Sequence, residues 1–327
     1  MGGDHAPLEI VKGAVEASSK FGVPVILVGD KSSIDSELSK YPGRASGIEI
    51  FHASEIVQMD EHPANAIRKK PDSSIVVCAN LVKSGRAQAM ISAGNTGAAM
   101  AVATLKLGRI KGIDRPAIGS LMPHSKGVCV MLDAGANVDC SVENMLQFAL
   151  MGNAYAQRIF RQERPRVGLL SIGEEASKGN ELTKSTNARL AQTNLNFVGN
   201  VEGKEMFRGA VDVVVCDGFD GNLVLKATEG IAEFFVTTLK TEIDKSIIFR
   251  IGAMLIRPAF KLMMDRLDYA EYGGAPLLGV NGICIIGHGR SDARAICNAI
   301  RAASDAVEND VVGCITESMR QQEPVSV

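Results

Sequence analysis

Short loops rich in glycine, asparagine and aspartate recur along this chain, and most of them follow an apolar run and precede a helix-like stretch. Six such loops span residues 1–7, 91–97, 132–137, 170–175, 215–222 and 287–291. A strand, a tight loop and a helix form an anion-binding unit in α/β proteins, because glycine lets the backbone approach a ligand and the helix begins with unpaired N–H groups. Open α/β sheets bind ligands outside the carboxyl ends of their strands. We therefore predict one pocket, lined by these loops, for a small phosphate-like ligand.

The apolar runs between the loops alternate with amphipathic stretches of helical period. Strand candidates lie at residues 23–28, 89–91, 127–132, 167–172, 196–198, 211–216 and 282–286, and helix candidates at 7–20, 142–158 and 181–192. This alternation predicts an α/β fold with a mostly parallel sheet covered by helices on both faces. Residues 74–78 fit either a strand or the start of a helix. No repeat or clean boundary divides the chain, so we predict a single α/β/α catalytic unit over residues 1–327.

Composition excludes several classes of protein. The formal net charge of -2 gives no support for non-specific nucleic-acid binding, so no nucleic-acid partner is expected. The seven cysteines include no CxxC pair and several lie in apolar runs, which is typical of buried, reduced thiols in a cytoplasmic protein. Neither a signal peptide nor an apolar run long enough to span a bilayer is visible.

Residues 228–268 form a long helical pattern that we expect to be interrupted at Pro258. Within residues 245–257 the apolar side chains share one face, further apolar side chains follow Pro258, and basic side chains are interleaved with few acids. The apolar positions are Ile247, Ile248, Ile251, Met254, Leu255, Phe260, Leu262, Met263, Met264 and Leu267, and the basic positions are Lys245, Arg250, Arg257, Lys261 and Arg266. The pattern predicts a protruding helical hairpin over residues 228–272. A dimer contact or core packing explains it as well as membrane-surface contact does, and a hairpin that dimerises at its base and touches lipid at its tip fits both.

The loop at residues 92–97 offers the polar side chains of Ser92, Asn95 and Thr96 beside Gly94 and Gly97. It is neither a Walker A loop, since no Gly-Lys-Ser/Thr follows, nor a GxGxxG fingerprint. A strand–helix turn with a capping residue would also explain it. We favour an anion site.

Two further loops carry charged candidates. Asp133 and Asn137 resemble half of a calcium loop, but the terminal glutamate is missing, so these residues are expected to orient the loop or a ligand instead. Lys178 lies in a glycine-flanked loop after a strand, where it is placed to neutralise an oxyanion or phosphate. The alternative for Lys178 is a solvated loop lysine, as most lysines are.

The loop at residues 217–222 ends a strongly apolar run. Asp217, Gly218 and Asn222 suit a close-approach loop whose amide donates to a developing oxyanion, although a turn with a helix cap explains them too. No HxxxH or HExxH spacing exists, so a zinc site is not expected. Without a GxSxG elbow or a cysteine in a nucleophile context, direct attack of one bound substrate on another fits better than covalent catalysis.

Several of these loops, taken together and in order, resemble one known family over essentially the whole chain. The matching segments are 1–7, 92–97, 108–116, 133–137, 178–183, 199–203 and 217–222, and Tyr272–Ala275 and Gly287–Gly289 fit as well. The family is the bacterial acyl-acyl-carrier-protein:phosphate acyltransferases of phospholipid synthesis.

The resemblance implies an enzyme that moves a long-chain acyl group from acyl-carrier protein to inorganic phosphate, without a cofactor or metal. A membrane acyltransferase then uses the acyl phosphate to acylate glycerol 3-phosphate. The implied fold is a three-layer α/β/α sandwich similar to phosphotransacetylase and to the isocitrate and isopropylmalate dehydrogenases. The family is homodimeric and peripherally membrane-associated, which supports both interpretations of the hairpin.

The resemblance and the loop chemistry together select the candidate site. The catalytic candidates are Lys178, which balances charge, and Asn222, which donates to the thioester oxyanion. The candidates for phosphate or substrate binding are Asp4, His5, Ser92, Gly94, Asn95, Thr96, Gly97, Asp133, Asn137, Asp217, Gly218 and His288. Basic candidates for docking the acidic carrier protein are Arg109, Lys111, Arg115, Arg250, Arg257 and Lys261.

Two departures from the family are visible. Family members usually carry a short first strand before the Met1-Gly2-Gly3 motif, which leads us to expect that the strand is missing here. Ala134 stands where the family often has valine, a harmless change. The remaining rivals are a phosphotransacetylase-like enzyme that uses acetyl-CoA and a non-catalytic membrane-docking scaffold. A metal-dependent hydroxyacid dehydrogenase fits less well, because no clustered acids or dinucleotide fingerprint are present.

Overall fold

The computed structural model describes residues 1–43, 47–267, 271 and 273–321, and for residues 64, 65 and 264–267 it describes the backbone alone. The strands are β1 (Val25–Gly29), β2 (Ile48–His52), β3 (Ala89–Ser92), β4 (Ala117–Ile118), β5 (Ser120–His124), β6 (Gly127–Leu132), β7 (Arg166–Leu170), β8 (Asn196–Val201), β9 (Val213–Val215), β10 (Ala275–Leu278) and β11 (Ile283–Ile286). The helices are α1 (Leu8–Phe21), α2 (Lys31–Leu38), α3 (Pro63–Lys69), α4 (Ser74–Lys83), α5 (Thr96–Val102), α6 (Val142–Ile159), α7 (Glu181–Leu190), α8 (Gly203–Arg208), α9 (Gly218–Asp244), α10 (Ile247–Leu267), α11 (Ala293–Glu308) and α12 (Val311–Arg320).

The strands form three hydrogen-bonded sets, with the orders β1-β2, β3-β11-β10-β4 and β5-β6-β9-β7-β8. The pairs β1–β2, β3–β11, β6–β9, β9–β7 and β7–β8 are parallel, as the alternation of strands and helices predicted. The pairs of β10 with its two neighbours and of β5 with β6 are antiparallel. Gly119 alone separates β4 from β5, so the chain passes there from the second set into the third.

Helices cover the strands, and the apolar side chains between them form the core. In α6 the fully buried Phe148 and Met151 pack in one large cluster with β6, β7, β9, α11 and α12. The helix begins at a capping box, in which Ser141 and Asn144 each satisfy a backbone N–H of the other. A second buried cluster joins α4 and α5 to β6 and β9. The predicted α/β architecture is therefore confirmed.

Some predicted elements differ from the observed ones. The ambiguous segment 74–78 is the start of helix α4. Because residues 74–77 are all buried, the apolar run shows no polar face from which a helical period could be recognised. The strands β2, β4, β5 and β10 were not predicted. β4 has two residues, and β10 contains Pro276, a residue that normally argues against a strand.

The long pair of helices α9 and α10 departs from its prediction in two ways. The first helix begins at Gly218, inside the candidate loop, and the break between the two helices lies at Lys245–Ser246. Pro258 lies within α10, so the predicted interruption there is wrong. The helix continues because proline removes one backbone donor, and the exposed helix leaves the freed carbonyl open to solvent.

Large apolar side chains of α9 and α10 are exposed, among them Phe234 at 71%, Ile248 at 73% and Leu255 at 76%. They do not pack in the core of the chain. Of the residues predicted for this hairpin, 268–270 and 272 lie outside the described part, as do the side chains of Met264, Arg266 and Leu267. Within the described ranges no helix is long and apolar enough to cross a membrane.

A cavity of about 1000 Å³ lies between β1 and β3. Consecutive residues of both strands line it, at 25–28 and 88–92, so it follows the strand edges instead of one face of a sheet. Side chains of α1, α4 and α11 also border it, and at one end it reaches Gly2 and Gly3.

Candidate active site

The candidate loops form two groups, and all of them except residues 1–5 follow the carboxyl ends of parallel strands. The first loop group comprises residues 1–5, 92–97 and 287–290, and the second comprises 133–137, 171–180 and 217–222. Strands β3 and β11 pair side by side, as do β6, β9 and β7, so the loops that follow them are neighbours within each group. Such carboxyl ends are where α/β sheets bind ligands.

The first loop group is held together by close backbone contacts. The Asp4 N–H donates to the Gly289 carbonyl at 2.9 Å, and the Gly287 N–H donates to the Ser92 carbonyl at 2.8 Å. A Cβ atom at Gly3 would lie 2.6 Å from the Ala93 carbonyl oxygen, so only glycine fits there. The side chains of Asp4, His5 and His288 are all exposed at the rim of this group.

Asn95, a phosphate-binding candidate, uses its side chain within the fold. Its Oδ1 accepts from the Ala98 N–H at 2.9 Å and caps helix α5. Its Nδ2 donates to the carbonyls of Gln58, Met59 and Glu61 at 3.0–3.2 Å. A capping residue, the alternative to the favoured anion site, is what the structure shows for this side chain. The clamp on residues 58–61 was not predicted, because its partners are more than thirty positions away in sequence.

A second set of contacts, from Lys70, also holds the loop at residues 58–61. The Lys70 ammonium pairs with Glu61 and also donates to the Ile56 carbonyl. The hydrogen bond from Lys70 holds the pKa of Glu61 below its usual value. Of the polar side chains in this group, Ser92 is half-buried and Thr96, the first residue of α5, is exposed.

Asp133 organises the second loop group. Its carboxylate, fully buried, accepts from the backbone N–H groups of Ile118 at 3.0 Å, Ala136 at 3.1 Å and Asn137 at 2.6 Å. The Asn137 Nδ2 adds a further bond at 2.9 Å. Burial raises the pKa of Asp133 above its usual value, and these hydrogen bonds oppose that rise. The residue therefore orients the loop, one of the two roles expected from the sequence.

Close contacts dock the start of α9 on this loop. The Gly218 N–H donates to the Asn137 carbonyl at 2.7 Å. A Cβ atom at Gly221 would lie only 1.9 Å from the Asp133 carbonyl oxygen, so the helix approaches this closely because the residue is glycine. Asp217 caps α9, because its Oδ1 accepts from the Asp220 N–H at 2.8 Å.

Asn222 lies in the second turn of α9, against the loop after β6. A Cβ atom at Gly135 would lie 3.4 Å from Cγ of Asn222, so the amide rests over a residue without a side chain. Asn222 is exposed, and its amide forms no hydrogen bond with any residue that the structure describes. It is therefore available to a ligand.

Lys178 lies in the loop after β7, which neighbours β9. Its N–H donates to the Glu175 carbonyl at 2.9 Å, and a Cβ atom at Gly173 would lie 3.0 Å from its Cγ. The ammonium group is exposed and forms no ion pair with a described residue. Lys178 and Asn222 are thus a free cation and a free donor in neighbouring loops.

None of the hydrogen bonds described above joins one loop group to the other. The two groups border the same buried cluster, which contains Val57 and Ala98 on one side and Ala134 and Cys216 on the other. The large cavity reaches the first group at Ser92–Asn95 but none of the second group's loops. The cavity therefore borders the candidate phosphate loop, but not the unpaired cation and amide of Lys178 and Asn222.

Thiol chemistry is disfavoured at this site. Cys216 lies beneath the second group, and burial raises the pKa of its thiol well above the usual value. Burial likewise raises the pKa of Cys140 to about 11. Both thiols are protonated near neutral pH, and a protonated thiol is a poor nucleophile. Among the described residues no group of three or more His, Cys, Asp or Glu side chains could hold a metal ion.

Comparisons with known proteins agree with this architecture. The family described as "Fatty acid synthesis protein" matches residues 1–313. The chain is 54% identical to "Phosphate acyltransferase" from Pelotomaculum thermopropionicum, over 99% of this chain and 94% of that protein. It is 49% identical to "Phosphate acyltransferase" from Geobacter sulfurreducens, over 98% of this chain and 93% of that one.

Solved structures of similar fold are more distant in sequence. A phosphotransacetylase from Streptococcus pyogenes superposes with a TM-score of 0.61 at 18% identity and covers 93% of this chain and 92% of its own. The EutD phosphotransacetylase from Staphylococcus aureus has a TM-score of 0.55 at 12% identity, over 91% of this chain and 98% of its own. This likeness is one of fold and confirms the predicted α/β sandwich.

Proposed function

Because the chain belongs to the family of fatty acid synthesis proteins, we propose that it transfers a long-chain acyl group from acyl-acyl-carrier protein to inorganic phosphate. The acyl phosphate product then serves a membrane acyltransferase in phosphatidic acid synthesis. The name of its relatives, phosphate acyltransferase, supports phosphate as the acceptor. The chain is accordingly an acyltransferase.

One observation of the site carries the proposal. Lys178 and Asn222 come from loops after the neighbouring strands β7 and β9, and each has an unpaired polar group at the same edge. Because β7 and β9 are neighbours in the sheet, we assign both side chains to one small substrate. A cation beside an amide donor is what an anionic nucleophile and a developing oxyanion require.

The reaction follows from these two groups. An oxygen of phosphate attacks the thioester carbonyl, a C–O bond forms, and the carbonyl oxygen becomes an oxyanion that accepts from Nδ2 of Asn222. The C–S bond then breaks, and the carrier-protein thiolate leaves and takes a proton from solvent. Lys178 balances the phosphate and the transition-state charge. Phosphate is already anionic near neutral pH, so a strong general base is not required.

The first loop group is the proposed phosphate contact. The Ser92 hydroxyl, Thr96 and the backbone of Gly94 and Gly97 offer hydrogen bonds at the carboxyl end of β3. The side chain of Asn95 shapes this loop by its cap and its clamp. The exposed Asp4, His5 and His288 border the loop and complete the proposed substrate site, and Asp133, Asn137, Asp217 and Gly218 shape the second group beside it.

The helical pair α9–α10 is the proposed site of homodimer and peripheral membrane contact, in a cytoplasmic enzyme. Its exposed Phe234, Ile248 and Leu255 support this, because an apolar face of this kind is typical of an interface. A basic loop that includes Arg109, Lys111 and Arg115 is a proposed landing site for the acidic carrier protein.

Phosphate-dependent turnover of palmitoyl-acyl-carrier protein, measured beside acetyl-CoA, tests the proposal. We expect acyl phosphate from the carrier-protein substrate and much slower turnover of acetyl-CoA. The reverse preference would favour the alternative, a phosphotransacetylase-like acyl-CoA:phosphate transferase, which shares the fold. Absence of phosphate-dependent thioester loss with either substrate would contradict both and leave the membrane-docking scaffold.

A further inference from the structure

A buried chain of side-chain amides ends at the loop that carries Lys178. The Asn187 Nδ2, on α7, donates to Oδ1 of Asn200, on β8, at 2.8 Å. The Asn200 Nδ2 in turn donates to the Glu175 carbonyl at 2.8 Å. Asn187 is 9% exposed and Asn200 is 5% exposed, so both side chains are largely shielded from water.

The Glu175 carbonyl is also the acceptor for Lys178. The Lys178 N–H donates to it at 2.9 Å, so a single oxygen joins Asn200 to the backbone of the lysine. If Asn200 lost this acceptor, a buried amide would be left without a partner, which is unfavourable, so the bond holds the turn firmly. The turn at residues 175–178 is therefore fixed from below by a residue of strand β8.

The remainder of the loop leaves the lysine little freedom near its Cα atom. Gly179 has a φ of +98°, and a Cβ atom there would lie 2.8 Å from Thr183. The stem of Lys178 lies along Gly173. Because a lysine side chain is long and flexible, the place of its Cα atom decides which region its ammonium samples.

We propose that Asn200, supported by Asn187, is a positioning residue that holds Lys178 at the phosphate. This inference rests on the proposed function, since the hydrogen bond from Asn200 matters for turnover only if Lys178 balances the charge of phosphate. Asn200 touches no substrate and acts through the turn at residues 175–178. A misplacement of about 1 Å in a catalytic group costs up to about 100-fold in rate.

Three asparagine variants separate positioning from general stability. Asn200→Ala removes the direct fastening, and we expect turnover to fall about 10-fold to 100-fold, with a raised KM for phosphate. Asn187→Ala leaves the bond from Asn200 to Glu175 in place, so a fall of a few-fold is expected and the variant serves if Asn200→Ala folds poorly. Asn196→Ala is the matched control, because its Nδ2 donates to the Arg164 carbonyl at 3.1 Å from the same strand, away from the lysine turn.

A double-mutant cycle with Lys178→Met decides the point. If Asn200 acts through the lysine, adding Asn200→Ala to Lys178→Met lowers turnover by less than about 2-fold, although Asn200→Ala alone lowers it strongly. Effects that multiply in the double variant, or an Asn200→Ala variant as active as Asn196→Ala, would overturn the positioning role. Near-normal turnover of Lys178→Met alone is a different result: it would contradict the proposed function of the lysine, and the positioning role would fall with it.

Discussion

The two loop groups have similar composition, but Asn95 in the first group and Asn222 in the second use their side-chain amides differently. In the first group, the cap and the clamp of Asn95 occupy its whole amide. In the second group, the carboxylates of Asp133 and Asp217 likewise accept hydrogen bonds from the backbone. The side chains of Lys178 and Asn222, in contrast, remain unpaired among the described residues. Glycine-rich loops therefore contain two kinds of polar residue, those that build the loop and those that face a ligand.

The comparison assigns chemistry to the second group and a framework role to Asn95. An internal hydrogen bond that is satisfied stabilises the fold and leaves nothing for a substrate. An exposed cation or amide without a partner is free to bind charge that develops during a reaction. Variants of each kind should therefore separate into losses of turnover and losses of stability.

The largest expected effect is that of Lys178→Ala. Loss of the charge that balances phosphate should lower turnover by about 10²–10³-fold, while the melting temperature stays unchanged because the side chain is exposed. Steady-state kinetics with palmitoyl-acyl-carrier protein and thermal melting measure both. Lys184→Ala, an exposed lysine on the following helix, is the matched control and should keep normal turnover. If Lys178→Ala and Lys184→Ala had equal activity, the assignment of charge balance to Lys178 in the second loop group would be wrong.

Asn95→Ala should act on stability. It removes the cap of α5 and leaves three carbonyls of the 58–61 loop without their donor, which together cost about 1–3 kcal/mol in the free energy of unfolding. Urea denaturation measures this loss. We expect the KM for phosphate to change little at a temperature where the variant is folded. A raised KM with unaltered stability would show instead that the Asn95 amide binds phosphate.

The smallest expected effect concerns pH. Asp212, just before β9, accepts two hydrogen bonds from the Arg166 guanidinium, at 3.0 Å from Nε and 2.9 Å from Nη2. Burial alone would raise the pKa of Asp212, but its hydrogen bonds and the charge of Arg166 outweigh burial and lower the pKa. The contribution to stability is therefore fully present above the unfolded pKa of about 4 and is lost as pH falls through the lower folded pKa.

Urea melts of the wild type and Asp212→Asn, taken between about pH 6 and pH 3, test this sign. The difference in stability should be largest at the upper end and shrink at the lower end. The effect is modest because Arg166 is partly exposed and solvent screens the pair. A difference that grows as pH falls would contradict the lowered pKa.

The sequence predicted the parts of the fold that depend on local pattern. The apolar runs of β3, β6, β7 and β11 were found because each run is bounded by glycine or polar residues. Short strands such as β4 escaped prediction, since two residues carry no period. The continuation of α10 past Pro258 depends on exposure of the helix, which is a property of the packed molecule.

The site was predictable in outline only. The loop positions of Lys178 and Asn222 follow from motifs, but the sequence does not say which asparagine is free. That distinction depends on contacts with residues far away in the chain, such as the 58–61 carbonyls that occupy Asn95. Asn200 was not predicted as a site residue, because its partners, Asn187 and Glu175, lie next to it only in the folded protein.

The most direct test of this account compares Asn222→Ala with Asn95→Ala in one assay. Phosphate-dependent release of the carrier-protein thiol would be measured for both variants and the wild type, at equal concentrations of folded protein. The account predicts that Asn222→Ala loses about 10²–10³-fold in turnover and that Asn95→Ala stays within a few-fold of the wild type. The opposite order, with Asn95→Ala inactive and Asn222→Ala near normal, would contradict the assignment of the chemistry to the second loop group.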